Sequence, residues 1–138
     1  MRNHYLSRVS FLLLALLAPV LCQAAVVDVS PSQLPAYLKS HSSVVVLFTS
    51  PDTGCDYCIG AEVPFEAVSR EVGTRASFVR VQWAPWRKLP PEIHALGVTG
   101  IPSQFAYQQG RRVDILLGKI KDSAGYAKKL DTVFPLAH

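Results

Sequence analysis

The sequence has few of the residues that mark several specialised classes of protein. Its 138 residues include three cysteines, which excludes a disulfide-rich mini-protein. Charged residues make up 17% and the net charge is +4, too little to indicate binding to nucleic acid or a polybasic membrane tether. No repeat, low-complexity tract or linker is visible. With 49% hydrophobic residues, the chain is long and apolar enough for one folded domain and too short for two.

The first 24 residues have the pattern of a secretory signal peptide. Arg2 and Arg8 precede an apolar run over residues 11–21, and small residues surround a cleavage position after Ala24. This apolar run is short, whereas a membrane-spanning helix needs roughly 18 residues or more. We therefore expect cleavage, and no stable membrane insertion afterwards.

Two alternatives for this segment are an uncleaved membrane anchor and a lipid attached to Cys22. Cleavage would remove two arginines and lower the net charge from +4 to +2. The predicted organisation is a signal peptide over residues 1–24 and a single domain over residues 25–138. The expected location is the bacterial periplasm, where disulfide chemistry is possible.

Hydrophobic periodicity predicts the element order β-α-β-α-β-α-β-β-α. Residues 44–48 form an unbroken apolar run rich in β-branched side chains, as in a strand that is covered on both faces. The crossovers predict parallel strand pairs in the middle, and the last hairpin adds an antiparallel pair. The fold class is therefore α/β, with one mixed sheet and helices on both faces. Strands are predicted at 26–29, 44–48, 77–83, 103–108 and 112–117, and helices begin near residues 30, 55, 92 and 122.

A pair of cysteines, Cys55 and Cys58, follows the apolar strand and begins a helix. Unpaired N–H groups and the helix dipole favour an anion at that position, so we expect a lowered pKa for the Cys55 thiol. Cys58 lies one turn further along, on the apolar stripe, where the two sulfurs can meet. We expect Cys55 to attack a disulfide and the more buried Cys58 to resolve the mixed disulfide.

These features resemble the thioredoxin fold over residues 26 to 135. The resemblance is carried by Cys55-Asp56-Tyr57-Cys58 after the apolar strand, and by Gly100-Ile101-Pro102 about 45 residues later. It implies a three-layer architecture around the mixed sheet. It also implies a cis bond at Pro102, which would pack beside the dithiol, and a backbone at Ile101 that pairs with an extended substrate.

The chain differs from cytoplasmic thioredoxin around the cysteines. Gly54 stands where thioredoxin has tryptophan, and Leu47 stands where it buries an aspartate that helps to deprotonate the second cysteine. Glu62, one turn after Cys58, is the candidate replacement. Tyr57 is similar to the tyrosine of periplasmic disulfide isomerases, and it either contacts substrate or simply covers the dithiol. We expect a single domain, without the dimerisation domain of those isomerases.

Charges near the dithiol act in opposite directions. Asp56 opposes a thiolate on Cys55, whereas the helix dipole favours it. The loop containing Trp86, Arg87 and Lys88 follows a parallel strand, so we expect it at the same sheet edge. We predict that this loop restores positive potential and contacts substrate, although tryptophans more often serve packing alone.

These observations predict an exported thiol–disulfide oxidoreductase that acts on cysteines of other exported proteins and exchanges electrons with a membrane donor or acceptor. The dithiol itself carries two electrons, so no organic cofactor is expected. A metal site is not expected either, because a second cysteine pair is missing and the histidines have no ligand spacing. The alternatives are a non-catalytic binding module with a structural Cys55–Cys58 disulfide and a copper-handling protein, which sparse histidines and a single methionine argue against.

Overall fold

A computed structural model describes residues 26–71, 75–115 and 123–135 of the protein. Within these residues, five strands and four helices follow one another in the predicted order. The predicted signal peptide lies outside them, so the domain boundary after residue 24 stays a prediction. The strands are β1 (Val27–Asp28), β2 (Ser43–Thr49), β3 (Ser77–Gln82), β4 (Ser103–Gln108) and β5 (Arg111–Ile115), and the helices are α1 (Leu34–Ser40), α2 (Asp56–Glu71), α3 (Pro91–Ala95) and α4 (Ser123–Val133).

The strands form one mixed sheet in the order β1-β3-β2-β4-β5. Both β1 and β2 are parallel to β3, as the crossovers predicted. The hairpin of β4 and β5 is antiparallel, also as predicted. The prediction of parallel pairs in the middle of the sheet is wrong for β4. The connection through α3 reverses the chain, so β4 runs antiparallel to β2.

Strand β2 is the centre of the sheet and has strands on both sides. Its residues 44–48 are fully buried, which confirms the prediction that this strand is covered on both faces. Its side chains alternate between two separate apolar clusters, so Val46 and Phe48 face one side while Val45 and Leu47 face the other.

Helices cover both faces of the sheet. The Phe48 face packs against Leu34 and Leu38 of α1 and Ile93 of α3. The opposite face packs against α2 and α4, with Phe65, Val68, Tyr126, Leu130 and Phe134 as the main contacts. The result is the predicted three-layer α/β architecture.

Helix α2 carries the predicted apolar stripe. Cys58, Phe65 and Val68 are buried, and Ala61 packs against the cluster at its edge. The helix continues through Pro64 as one element of 16 residues. Burial of this stripe fixes the rotation of α2 and thereby turns Cys58 toward the sheet.

Candidate active site around the dithiol

Three loops meet at one edge of the sheet. Strands β2 and β3 are parallel and end side by side, with Thr49 opposite Gln82. Strand β4 is antiparallel to β2 and therefore begins at the same edge, with Ser103 opposite Phe48. This topology gathers the cysteine loop at 50–55, the loop at 83–90 and the loop at 99–102.

The two cysteines form a disulfide at the start of α2. Cys55 immediately precedes the helix, and its carbonyl oxygen accepts hydrogen bonds from the N–H groups of Cys58 (3.0 Å) and Ile59 (3.3 Å). The two Cα atoms are 5.3 Å apart. Cys55 is 5% exposed and Cys58 is fully buried. Both cysteines are therefore buried, Cys58 slightly more deeply than Cys55. The predicted roles of attacking and resolving cysteine stay predictions.

Asp52 joins the cysteine loop to the loop after β3. Its Oδ1 accepts a hydrogen bond from the Gly54 N–H (3.0 Å), and its Oδ2 accepts one from the Trp86 N–H (3.4 Å). Its carbonyl oxygen accepts a further bond from the Cys55 N–H (3.0 Å). One residue therefore positions both the backbone beside Cys55 and the backbone of Trp86.

Asp52 is a site residue that was not predicted from the sequence. The bond that Asp52 accepts from Gly54 has a local signal, because aspartate commonly accepts a hydrogen bond from the backbone N–H two residues further on. The bond that it accepts from Trp86 spans 34 residues, and no local sequence pattern predicts such a contact.

Ser50 provides a second, buried connection between the same two loops. Its hydroxyl donates to the Trp83 carbonyl oxygen (2.6 Å) and accepts from the Asp52 N–H (3.1 Å). Trp83 is 8% exposed and belongs to the core cluster on the α1 and α3 face. Trp83 thus has the packing role that tryptophans more often serve.

Trp86 lies against the residue before Cys55. A Cβ atom built on Gly54 would be 3.4 Å from Trp86 Nε1, which is ordinary van der Waals contact. The Arg87 guanidinium stacks over the Trp86 ring, with its Cζ 4.3 Å from the ring centroid. Lys88 is exposed at the end of the same turn, where its N–H bonds the Pro85 carbonyl (2.9 Å). The predicted juxtaposition of this loop and the cysteine loop is present, while contact with substrate stays a prediction.

The loop before β4 has the cis peptide bond that the resemblance implied. The bond between Ile101 and Pro102 is cis, as is the one between Ala84 and Pro85, which the sequence analysis did not predict. Ile101 and Pro102 are both partly exposed, and Ile101 packs against the core cluster. The Ser103 hydroxyl closes the loop by donating to the Gly100 carbonyl (2.6 Å).

Glu62 lies between α2 and strand β3. Its Oε1 accepts a hydrogen bond from Gln82 Nε2 (2.7 Å), and its Oε2 lies 3.7 Å from an Arg80 nitrogen. The hydrogen bond to Asp28 chiefly raises the pKa of Arg80, so this residue is a permanent cation beside Glu62. The predicted tuning of Cys58 by Glu62 stays a prediction, with the carboxylate shared between two partners on the sheet.

The remaining predicted site residues lie around the start of α2. Asp56 is its first residue and is exposed, and Tyr57 is 84% exposed. Leu47 is fully buried on the face of the sheet that α2 and α4 cover. Thr49, at the end of β2, is also fully buried, and its hydroxyl has no hydrogen-bond partner among the described residues.

Two further features are absent from the residues that the structure describes. Across residues 26–71, 75–115 and 123–135, histidine, cysteine, aspartate and glutamate side chains nowhere form a group that could hold a metal ion. None of the helices in these ranges has the length and hydropathy needed to cross a membrane.

Comparisons with known proteins identify the fold. The sequence matches no family model and no curated protein sequence. Its structure is similar to a mutant thioredoxin from Halobacterium salinarum, with a TM-score of 0.64 and 16% identity over 84% of this chain and 96% of that one. It is also similar to oxidised thioredoxin from Plasmodium falciparum, with a TM-score of 0.61 and 21% identity over 80% of this chain and 99% of that one. For a thioredoxin from Malassezia sympodialis, the TM-score is 0.63 and the identity is 18% over 80% of this chain and 92% of that one. At these identities the similarity shows the fold, and the predicted thioredoxin-like architecture is confirmed.

Proposed function

We propose that the chain is an exported thiol–disulfide oxidoreductase that acts on cysteines of other exported proteins. The observation that carries the proposal is the Cys55–Cys58 disulfide at the start of α2, at the edge of the sheet where three loops meet. Such a disulfide accepts two electrons when it opens. The function therefore needs no organic cofactor.

In the reducing direction, the Cys55 thiolate attacks one sulfur of a substrate disulfide. The new bond joins Cys55 to the substrate, and the other substrate sulfur leaves as a thiolate that takes up a proton. Cys58 then loses its proton and attacks the Cys55 sulfur, which releases the second substrate thiolate. The substrate has gained two electrons, and the Cys55–Cys58 pair has become a disulfide that a membrane donor reduces again.

The charges around the site support the reductase or isomerase direction. Asp52 and Asp56 are both close to Cys55 in the chain, and a nearby carboxylate makes a thiolate less stable. A less stable thiolate lowers the stability of the reduced form, which then gives up its electrons more readily. Arg87 and Lys88 act in the opposite direction across the site.

Export is supported by the first 24 residues, with their arginines, their short apolar run and the small residues that follow. Cleavage after Ala24 would release a protein that begins at Ala25. Expression of the full chain in a bacterium, followed by fractionation and N-terminal sequencing of the product, tests this part. A product in the cytoplasm that retains residues 1–24 would contradict it.

The competing function is a binding module in which the disulfide is only a structural staple, and the burial of both cysteines favours it. Equilibration in glutathione buffers separates the two. A redox catalyst opens and closes its disulfide at a potential between roughly −270 and −120 mV, whereas a structural disulfide stays closed to below about −300 mV.

Alkylation and two variants test the assigned roles. In the reduced protein at neutral pH, iodoacetamide should modify Cys55 and spare the fully buried Cys58. Cys55→Ser should abolish reduction of a protein disulfide, and Cys58→Ser should accumulate a mixed disulfide at Cys55. An unmodified Cys55, or full activity in Cys55→Ser, would refute the proposal.

A further inference from the structure

A cavity of about 300 Å³ lies between the loop after β3 and the loop before β4, at the sheet edge where β2 ends. Its walls include the apolar side chains of Trp83, Trp86, Leu89 and Ile101, together with Arg87. This volume is at the lower end of the range for ligand pockets. It suits a large side chain of a bound polypeptide.

The cavity shares walls with both loops that flank the cysteines. The Trp86 ring lies next to Gly54, the residue before Cys55, since a Cβ atom at Gly54 would be 3.4 Å from Trp86 Nε1. Ile101 immediately precedes the cis bond to Pro102. We therefore expect a polypeptide whose cysteine reaches Cys55 to extend along these two loops, which form the walls of the cavity.

Internal hydrogen bonds hold the walls of this cavity in place and occupy several of their polar groups. The Trp83 Nε1–H donates to the Trp86 carbonyl oxygen (3.3 Å), and the Trp83 carbonyl accepts from Ser50. The Trp86 N–H donates to Asp52. Because these bonds are internal, the tryptophans present mainly their apolar rings to an occupant, and the pocket is formed before any substrate binds.

Arg87 lines the cavity and Lys88 follows it in the chain, and neither has a carboxylate partner among the described residues. In the described part of the chain, the ion pairs involve Arg75, Arg80 and Lys129, and none includes Arg87 or Lys88. Arg87 uses one face of its guanidinium to stack on Trp86, which leaves the N–H groups at its edge for an acceptor. The complementary group on an occupant is a carboxylate.

We propose that this cavity is a specificity pocket for substrate polypeptides in which a large apolar side chain and an acidic residue flank the reacting cysteine. The apolar side chain fills the space between Trp86 and Ile101. The carboxylate binds Arg87, with Lys88 nearby. This inference rests on the proposed function, because the pocket selects which disulfides reach Cys55.

Four short peptides test the pocket through the rate of exchange. Each carries one cysteine as a mixed disulfide with 2-mercaptoethanol, flanked by Phe and Glu, Phe and Gln, Ala and Glu, or Ala and Gln. The reduced protein should reduce the Phe and Glu peptide at least tenfold faster than the Ala and Gln peptide, measured as the second-order rate constant of a single turnover. The disulfide of 2-mercaptoethanol alone, which has neither group, reports the exchange chemistry without the pocket.

Two variants assign the preferences to their residues. Arg87→Ala should reduce the ratio of the Glu to the Gln peptide toward one, and Trp86→Ala should reduce the ratio of the Phe to the Ala peptide. Arg70→Ala removes an equal charge at the far end of α2 and should leave both ratios unchanged. Equal rates for all four peptides, with normal reduction of the small disulfide, would overturn the pocket and leave the proposed function intact.

Peptide binding tests the pocket even if the protein catalyses no thiol–disulfide exchange. The chain contains two tryptophans and both border the cavity, so its intrinsic fluorescence reports on the pocket. Peptides with serine in place of cysteine should bind in the same order of preference. Selective binding without exchange would support the pocket and refute the oxidoreductase, and weak binding without preference would refute the pocket.

Discussion

At the scale of single residues, Asp52 links the cysteine loop to Trp86. It accepts hydrogen bonds from Gly54 and Trp86 through separate carboxylate oxygens. Asp56 carries the same charge and is exposed at the start of α2. Comparison of the two carboxylates therefore separates the effect of position from the effect of charge.

We expect Asp52→Ala to lower the free energy of unfolding by about 0.5–1.5 kcal/mol, because two backbone donors that are exposed or partly buried lose their acceptor. It should also shift the tryptophan emission, since Trp86 loses its anchor to the cysteine loop. Urea unfolding followed by fluorescence measures both effects. Asp56→Asn serves as the charge control and should change neither the free energy of unfolding nor the emission. Asp52→Asn keeps one acceptor oxygen, so its effects should be smaller than those of Asp52→Ala and larger than those of Asp56→Asn. Equal effects of Asp52→Ala and Asp56→Asn would show that Asp52 acts through charge alone.

The charges of Arg87 and Lys88 give the second prediction. Replacement of both by Ala should raise the midpoint of the Cys55 thiolate titration in the reduced protein, by about half a pH unit for exposed charges. Asp56→Asn should move the midpoint in the opposite direction. The rate of iodoacetamide alkylation as a function of pH measures it.

Salt and a distant arginine provide the controls for this effect. Exposed charges are screened by salt, so the shift should shrink at 1 M ionic strength. Arg70→Ala, at the other end of α2, should leave the midpoint in place. An unchanged midpoint in the double variant would exclude tuning by this loop.

At the scale of secondary-structure elements, periodicity in the sequence predicted most of what the structure contains. The unbroken run at 44–48 predicted a central strand, and the stripe through Cys58 and Phe65 predicted the buried face of α2. Periodicity carries no information on the direction of a neighbouring strand, however. The antiparallel course of β4 was therefore missed, although it is the feature that brings Pro102 to the edge where α2 begins.

Strand β1 shows how a short element is held in the sheet. It has two residues, and both are exposed. Asp28 is bound through both oxygens by Arg80 on β3, at 2.6 Å from Nε and 3.0 Å from the second nitrogen. The hydrogen bond from Arg80 lowers the pKa of Asp28 below its usual 3.8.

This lowered pKa predicts a pH-dependent contribution to stability. The ionised form of Asp28 is favoured in the folded state, so the contribution is present above pH 3.8 and is lost as the pH falls below it. Asp28→Asn should cost roughly 0.2–1 kcal/mol at pH 6, because the pair is partly exposed, and nearly nothing near pH 2. Urea unfolding at the two pH values measures the difference. The exposed Glu71→Gln is the control, and a cost that is the same at both pH values would contradict the role of the ion pair.

At the scale of the whole molecule, each face of the sheet buries a tyrosine in a different way. Tyr126 of α4 donates a hydrogen bond to Gln104 Oε1 (2.7 Å) on the α2 face. Tyr107 of β4 lies in the cluster on the opposite face, and its hydroxyl has no partner among the described residues. Removal of the two hydroxyls therefore has different expected consequences.

Tyr126→Phe should lower the free energy of unfolding by about 1–3 kcal/mol, because it leaves a buried amide oxygen without a donor. Tyr107→Phe should be neutral or stabilise the protein by up to about 1 kcal/mol, since it removes a buried hydroxyl that has no partner to lose. Denaturant unfolding at pH 7 tests both. Tyr57→Phe, at an exposed position, is the control and should change nothing.

Alkaline pH tests the burial of both tyrosines at once. Burial raises the pKa of Tyr107 to about 12 and raises that of Tyr126 as well, whereas a tyrosine in the unfolded chain ionises near pH 10. The folded state therefore holds these protons longer, and stability is lost as the pH rises above 10, by at most about 1.4 kcal/mol per pH unit for each group. The variant with Phe at both positions should lose less stability between pH 10 and 11.5 than the original chain does. An identical slope in the two proteins would mean that solvent reaches both hydroxyls, and that neither face of the sheet is closed as the structure shows.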